Sequence, residues 1–266
     1  MNTPGEELLE LAREVGLEAA AFVRSSRPVG RVDVSSTKSS DTDVVTAIDE
    51  ACERLIRERI FAARPDDGFV GEEGDDIVGA SGVDWVVDPI DGTVNFVYGI
   101  PTYAVSIAAR DAGQVVAGYV VNIATGAEWG AVAGAGSWRY ESEGRRRLAA
   151  PRVDSVAHAL VATGFNYVPD VRARQAQAMA AFLPQVRDIR RIGSAALDLC
   201  ALAEGQFDAY VEQGLKPWDL AAGGLIAREA GLVLSGHDGP PDERLVMAAH
   251  PAIAQEYFDL VRACGF

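Results

Sequence analysis

An α/β fold, with helices laid on the faces of sheets, is what this sequence predicts, and three features carry that reading. Two long stretches near the start repeat their apolar residues at helical spacing. A middle section strings β-rich segments together with only hairpin chemistry between them. The second half alternates short strands with helices, an order that suits a sheet covered by helices. At 266 residues the chain exceeds the usual length of one domain, so one large unit or two abutting ones is expected. No Pro/Ser-rich linker parts the halves and no repeat period appears. The expected organisation is a single unit over 1–266 made of two fused lobes, about 1–150 and 151–266.

The first helix is expected over 3–24. Thr3 caps it, Pro4 sits in its first turn, and Leu8, Leu11, Ala12, Val15, Ala19, Phe22 and Val23 form one apolar stripe. A polar loop over 25–42 carries Lys38-Ser39-Ser40. The second helix, over 43–63, turns Ile48, Cys52, Leu55, Ile56 and Ile60 inward, and Asp49 falls about 100° round from Ile48, at the edge of that stripe. Phe69-Val70 is a short strand ending in Gly71-Glu72-Glu73-Gly74. Trp85-Val86-Val87 has the length and β-branched content of a buried strand, which Asp88-Pro89 is expected to break.

Strands over 103–110, 114–123, 128–132 and 137–141, separated by Asp111-Ala112-Gly113 and Thr125-Gly126, predict an antiparallel meander. The basic triplet 145–147 reads as a solvated strand edge. Beyond it come a strand at 160–163, a helix at 171–183, a strand at 189–192, a helix at 194–203 and a strand at 207–212. A helix at 218–230, strands at 232–234 and 246–248, and a helix at 251–262 complete the chain.

Apolar residues make up 48% of the chain, enough for a sizeable core, yet no apolar run approaches a membrane span. The N-terminus, MNTPGEELLE, is acidic rather than a basic-then-apolar signal, so a cytoplasmic protein without membrane contact is expected. A net charge of −15 argues against general affinity for nucleic acid, although bound divalent ions can invert the field locally for an anionic substrate. Cys52, Cys200 and Cys264 are scattered and read as reduced core thiols. His158, His237 and His250 have no zinc spacing.

The chemistry gathers around 84–101, DWVVDPIDGTVNFVYGIP. Asp88 and Asp91 bracket a proline at a strand end and are held close together. Like charges that close stay ionised only with a cation between them. Thr93 adds a hydroxyl able to cap a helix or hold a water. Taken singly, Glu72-Glu73 is a solvated turn, Asp219 a helix cap, Asp49 a helix-surface acid and Ser194 a cap. Taken in order, GEE, DPIDGT and WD at a helix start supply oxygen ligands from separate elements. Hard oxygen donors without His or Cys select Mg²⁺ or Mn²⁺.

In these motifs the chain resembles the inositol monophosphatase family, above all its bacterial inositol-1-monophosphatases. The matching residues are Lys38-Ser39-Ser40, Asp43, Val45-Thr46 and Asp49, then Gly71-Glu72-Glu73 and Asp88-Pro89-Ile90-Asp91-Gly92-Thr93-Val94-Asn95-Phe96. They continue with Gly193-Ser194-Ala195-Ala196 and with Trp218-Asp219 through Gly223. They span nearly the whole chain in the family's order. The resemblance implies a layered αβαβα sandwich and a homodimer. It implies Glu72, Asp88 and the Ile90 carbonyl as ligands of one Mg²⁺ and Asp88, Asp91 and Asp219 as ligands of a second. Glu72 would share a looser third, and Mn²⁺ would substitute. Thr93, hydrogen-bonded to Asp49, would orient and help deprotonate the attacking water. The Gly92 and Thr93 amides would cradle phosphate oxygens. Gly193, Ser194, Ala195 and Glu212 would contact the polyol, with Lys38 and Glu73 as accessory residues.

The implied reaction is Mg²⁺-dependent, lithium-sensitive hydrolysis of a phosphate monoester, with myo-inositol 1-phosphate the leading substrate. Relatives with the same acids act on histidinol phosphate, fructose 1,6-bisphosphate or adenosine 3′,5′-bisphosphate. A regulatory role on the transcription machinery is the alternative of another class. It would need a basic patch, for which Arg187, Arg190 and Arg191 are the candidates; the last two are expected in a strand and a dimer surface. The 164–169 segment, GFNYVP, is expected as a pocket wall, and the short 74–83 loop as one that leaves the site open.

Overall fold

A computed structural model describes residues 3–28, 30, 32–37 and 44–266. The N-terminal half contains α1 (Pro4–Ser26), β1 (Ser36–Thr37), β2 (Val44–Val45), α2 (Ala47–Ala63), β3 (Gly68–Gly71), β4 (Val83–Asp91) and α3 (Thr93–Tyr98). The hairpins β5 (Ala104–Asp111), β6 (Gln114–Asn122), β7 (Glu128–Val132), β8 (Gly136–Glu141) and β9 (Gly144–Arg147) follow. The second half contains β10 (Leu160–Thr163), α4 (Pro169–Phe182), β11 (Asp188–Arg190), α5 (Ala195–Ala203), β12 (Ala209–Glu212) and α6 (Pro217–Glu229). Last come β13 (Val233–Ser235), β14 (Val246–Ala249) and α7 (Ala254–Ala263).

Two main sheets result. Seven strands run in sequence order from β3 to β9, antiparallel except for the β3–β4 pair. The expected meander is therefore present, and β9 with its three exposed arginines forms its edge. Five strands, ordered β11-β10-β12-β14-β13, form the second sheet, parallel at one end and antiparallel at the other.

Alternation along the strands divides the core into layers. Val87, Val105 and Ile107 face one side of the large sheet and pack on α1 and α2 through Val15, Ala19, Cys52 and Ile56. Val86, Ala104, Ala108 and Val120 face the other side and meet α5 and α6 through Ala196, Cys200, Ala222 and Ile226. The opposite flank of α5 and α6, with Leu199, Leu202 and Ala227, covers Ala162, Tyr210 and Ala248 of the small sheet. Its far face buries Val161, Val211 and Met247 under Phe182 of α4 and Tyr257 of α7. The order is helix, sheet, helix, sheet, helix, the αβαβα sandwich the resemblance implied.

Small residues let the middle layer sit close. A Cβ on Gly118 of β6 would stand 2.9 Å from the Ala222 Cα, and one on Gly223 3.2 Å from the Ala196 Cα. Among the described residues no helix is long and apolar enough to cross a membrane.

Several local expectations are corrected. Helix α2 starts at Ala47, because Thr46 accepts from the Ile48 and Asp49 amides and caps it, and Val44–Val45 is extended. Asp49 lies at the fully buried face rather than its edge, at 0% exposure. Strand β4 does not break at Pro89 but runs on to Asp91. The thiols of Cys52 and Cys200 are buried, whereas Cys264 is half-buried.

Candidate active site

The site begins with an irregularity in β4. Asp88 pairs with Ser106, and Asp91 with Ala104, so three steps on β4 face two on β5. In a regular strand, residues three apart point to opposite faces. The extra residue of this bulge puts both carboxylates on one side. Pro89 fits there, where the ladder is already interrupted. Oxygens of Asp88, Asp91 and Asp219 lie within 4.8 Å of one another, a group able to hold a metal ion.

Each acid is fixed by its own support. Asp88 Oδ1 accepts the Ile90 amide at 3.0 Å. Asp91 Oδ2 accepts the Ser194 hydroxyl at 2.6 Å and the Ala196 amide at 2.7 Å. Asp219 stands third in α6, not at its cap, and accepts the Lys216 amide at 2.6 Å. Ser194 does cap its helix, accepting the Leu197 amide at 3.3 Å.

Burial and mutual repulsion raise all three carboxyls: Asp91 to about 6, Asp88 and Asp219 well above the usual range. The Asp91 hydrogen bonds oppose that rise without cancelling it. Such a cluster wants a proton or a cation, and its donors are all hard oxygens, which suits a hard metal ion.

Gly92 turns the chain from β4 into α3 at φ 95°. A Cβ there would come within 2.8 Å of the Gly193 carbonyl and 3.0 Å of that of Thr102, so the position requires glycine. Thr93 follows as the first residue of α3, and its hydroxyl lies 3.2 Å from Asp49 Oδ1 and 3.1 Å from the Ile90 carbonyl. Asp49 also accepts from the Thr46 amide at 3.1 Å and from its hydroxyl. Burial raises the Asp49 carboxyl to about 6.

A cavity of about 380 Å³ opens over these groups. Glu72, Asp88, Ile90, Asp91, Gly92, Thr93 and Asp219 line one part, and Gly193, Ser194, Ala195 and Glu212 another. Glu212 accepts the Tyr210 hydroxyl at 2.6 Å, and burial lifts its carboxyl to about 7. Gly164 makes room for it, since a Cβ there would overlap Glu212 Oε1 at 1.9 Å. Phe165, Asn166 and Tyr167 form wall, as expected.

Two expected residues stand apart: Asp49 reaches the cavity through Thr93, and Glu73 is not among its lining residues. Lys38 lies outside the described residues. The 74–83 loop folds back on β3, where Phe69 and Ile77 exchange two 2.8 Å backbone hydrogen bonds.

Sequence reasoning missed some members. Arg191, expected on a dimer surface, lines the cavity, and so do Trp218 and Lys216. Asn95 lies inside the DGTVNF run, where the sequence alone implies no task for it. Its amide donates to the carbonyls of Thr102 at 2.8 Å and Ile192 at 2.9 Å, tying α3 to the segment before α5. Its position within DGTVNF was the available signal.

The sequence matches the profile of the inositol monophosphatase family over residues 5–264. It is 47% identical to an inositol-1-monophosphatase of Mycobacterium leprae, over 95% of this chain and 92% of that protein. A Nus factor SuhB of Pasteurella multocida is 37% identical, with 91% and 94% covered. The solved structure of Mycobacterium tuberculosis SuhB superposes with a TM-score of 0.85 at 43% identity, covering 99% of each chain.

Proposed function

The chain belongs to the inositol monophosphatase family of phosphatase enzymes, and from that premise we propose that it hydrolyses myo-inositol 1-phosphate with Mg²⁺. The observation that carries the metal requirement is the convergence of the Asp88, Asp91 and Asp219 oxygens within 4.8 Å. These three, with Glu72 and the Ile90 carbonyl, would hold two to three Mg²⁺ ions, or Mn²⁺ in their place. Divalent cations at such a site supply an activated nucleophile at neutral pH and neutralise charge on the phosphoryl group.

The chain's own groups do the rest. Thr93 takes the proton of the attacking water and passes its own hydroxyl proton to Asp49, whose carboxyl is raised by burial. Amides of Gly92 and Thr93 hold phosphate oxygens, and Asn95 keeps α3 against the Ile192–Gly193 segment while they do so. Glu212, Gly193, Ser194 and Ala195 contact the polyol hydroxyls; the Tyr210 hydrogen bond fixes the Glu212 carboxyl for that contact.

The direct test is phosphate release with Mg²⁺ from inositol 1-phosphate, histidinol phosphate, fructose 1,6-bisphosphate and adenosine 3′,5′-bisphosphate. Preference for inositol 1-phosphate, suppressed by lithium, is expected. Preference for another ester would keep the chemistry and change the substrate, and no release from any would overturn the catalytic reading.

A second reading rests on the name Nus factor SuhB carried by the Pasteurella multocida relative. On this reading the chain would bind a transcription-related partner. The basic residues it would use are engaged here: Arg187 donates to the His158 carbonyl, Arg190 pairs with Asp188, and Arg191 lines the cavity. The enzyme reading is therefore the favoured one. The homodimer expectation is carried forward as well, with Tyr98 and Ile100, 59% and 48% exposed, as apolar contact candidates. Light scattering at twice the chain mass would support it.

A further inference from the structure

Helix α2 reaches the acidic site from three inward positions. Asp49 meets the Thr93 hydroxyl, Cys52 Sγ lies 3.6 Å from the Pro89 carbonyl, and Glu53 Oε2 accepts the Glu73 amide at 2.8 Å. The proposed chemistry uses the first of these. It leaves Glu53 without a task, although Glu53 is an acid only 3% exposed. A carboxyl buried to that degree is costly unless its surroundings are built to hold it.

The turn that carries Glu72 is part of those surroundings. A Cβ on Gly71 would stand 2.5 Å from Glu53 Oε2, and one on Gly74 2.8 Å from Oε1. The turn therefore closes round the Glu53 carboxyl, and the two glycines leave the space it occupies. Between them, the Glu73 amide is pinned to the same carboxyl. Glu72, the residue just before that amide, lines the cavity shared with Asp88, Asp91 and Asp219. Fixing one peptide on a helix of the core fixes where the preceding side chain emerges.

We propose that Glu53 is a positioning residue whose buried carboxylate holds the Gly71–Gly74 turn around itself, aims Glu72 at the Asp88–Asp91–Asp219 cluster and so sets the affinity for divalent cations. This rests on the reading of Glu72 as a cation ligand. Groups that orient metal ligands from behind change affinity by about 10–100-fold when removed.

The test is Mg²⁺ and Mn²⁺ titration of the full chain without substrate, followed by calorimetry and by the rise in melting temperature. It is run on wild type, Glu53→Ala and Glu53→Gln. Glu53→Ala should weaken the binding midpoint by about tenfold or more. Glu53→Gln keeps an acceptor oxygen but loses the charge, and should fall between. In phosphate release, the half-saturating Mg²⁺ should rise by the same factors, while KM for the ester at saturating Mg²⁺ stays within about twofold of wild type, since the polyol contacts are untouched. A merely structural Glu53 would lower the metal-free melting temperature and leave the midpoint in place.

Should Glu53→Ala not fold, Glu53→Gln and Glu53→Asp carry the test, the latter drawing the carboxylate back by one methylene. Cation midpoints in the folded variants equal to wild type would overturn the inference alone. A wild-type chain that binds neither cation would overturn the cation reading and this inference with it.

Discussion

Asp219 is a half-buried acid whose charge is opposed, after the desolvation of its carboxyl in the cavity, by Asp91 and Glu72. Its folded-state carboxyl is raised, so ionising it at neutral pH costs stability in the metal-free chain. Asp219→Asn keeps an oxygen for the Lys216 amide and removes that cost. The metal-free variant should therefore melt higher than wild type at pH 8, while its Mg²⁺-dependent turnover falls by about a thousandfold or more, as for loss of a group acting in the transition state. Calorimetry and phosphate release check the two halves. Gly92→Ala acts through the backbone: it forces a side chain onto φ 95° and against two carbonyls. A loss of about 1–3 kcal/mol is expected from urea unfolding, with activity lost as α3 is pushed from Gly193. Single residues were the least legible scale in the sequence. Asp88, Asp91 and Asp219 are legible from their motifs, whereas Glu53 belongs to none of them and is set apart only by the turn around it. That Arg191 lines the cavity is likewise not legible, because no spacing reveals what a cavity wall contains.

At the scale of elements, motif and geometry separate. The Asp-Pro-Ile-Asp-Gly run announced an acidic turn, yet the device that aligns its carboxylates is a bulge in pairing with β5. Pairing register is a relation between two strands and is not written in either one. Helix limits were legible to within a few residues where caps were clear, as at Thr3. They shifted at α2 because Thr46 sits past two extended residues that helical periodicity cannot exclude. Asn95 joins elements far apart in sequence. Asn95→Ala removes the donor to the Thr102 and Ile192 carbonyls and should cost about 2–3 kcal/mol in urea unfolding. A loss under about 0.5 kcal/mol would show that the clamp is dispensable, since changes that small are typical of substitutions away from such features.

Across the whole molecule, two sheets and three helical layers bring acids from β4, the β3 turn and α6 to one cavity. The layer order followed from family resemblance rather than periodicity, because apolar spacing gives the buried face of an element but not its neighbour. Concentrating acids there has a consequence for stability. Asp49 and Asp91 are raised to about 6 and Glu212 to about 7, and burial and neighbouring acids also raise Asp88 and Asp219 well above the usual carboxylate range. The folded metal-free chain thus binds more protons than the unfolded one. This contribution is fully present below about pH 4 and is lost as pH rises through 6 and 7. Metal-free melting temperatures should fall from about pH 5 to pH 8 on this account. The rise produced by Mg²⁺ should be larger at pH 8, where protons no longer compete for the carboxylates.

Crystals grown with Mn²⁺ and phosphate would show whether these acids gather to bind divalent cations. Anomalous density touching Asp88, Asp91 and Asp219, with phosphate beside the Gly92 and Thr93 amides, is the predicted result. A cavity free of anomalous density at saturating Mn²⁺, or density confined to other acids, would contradict the account.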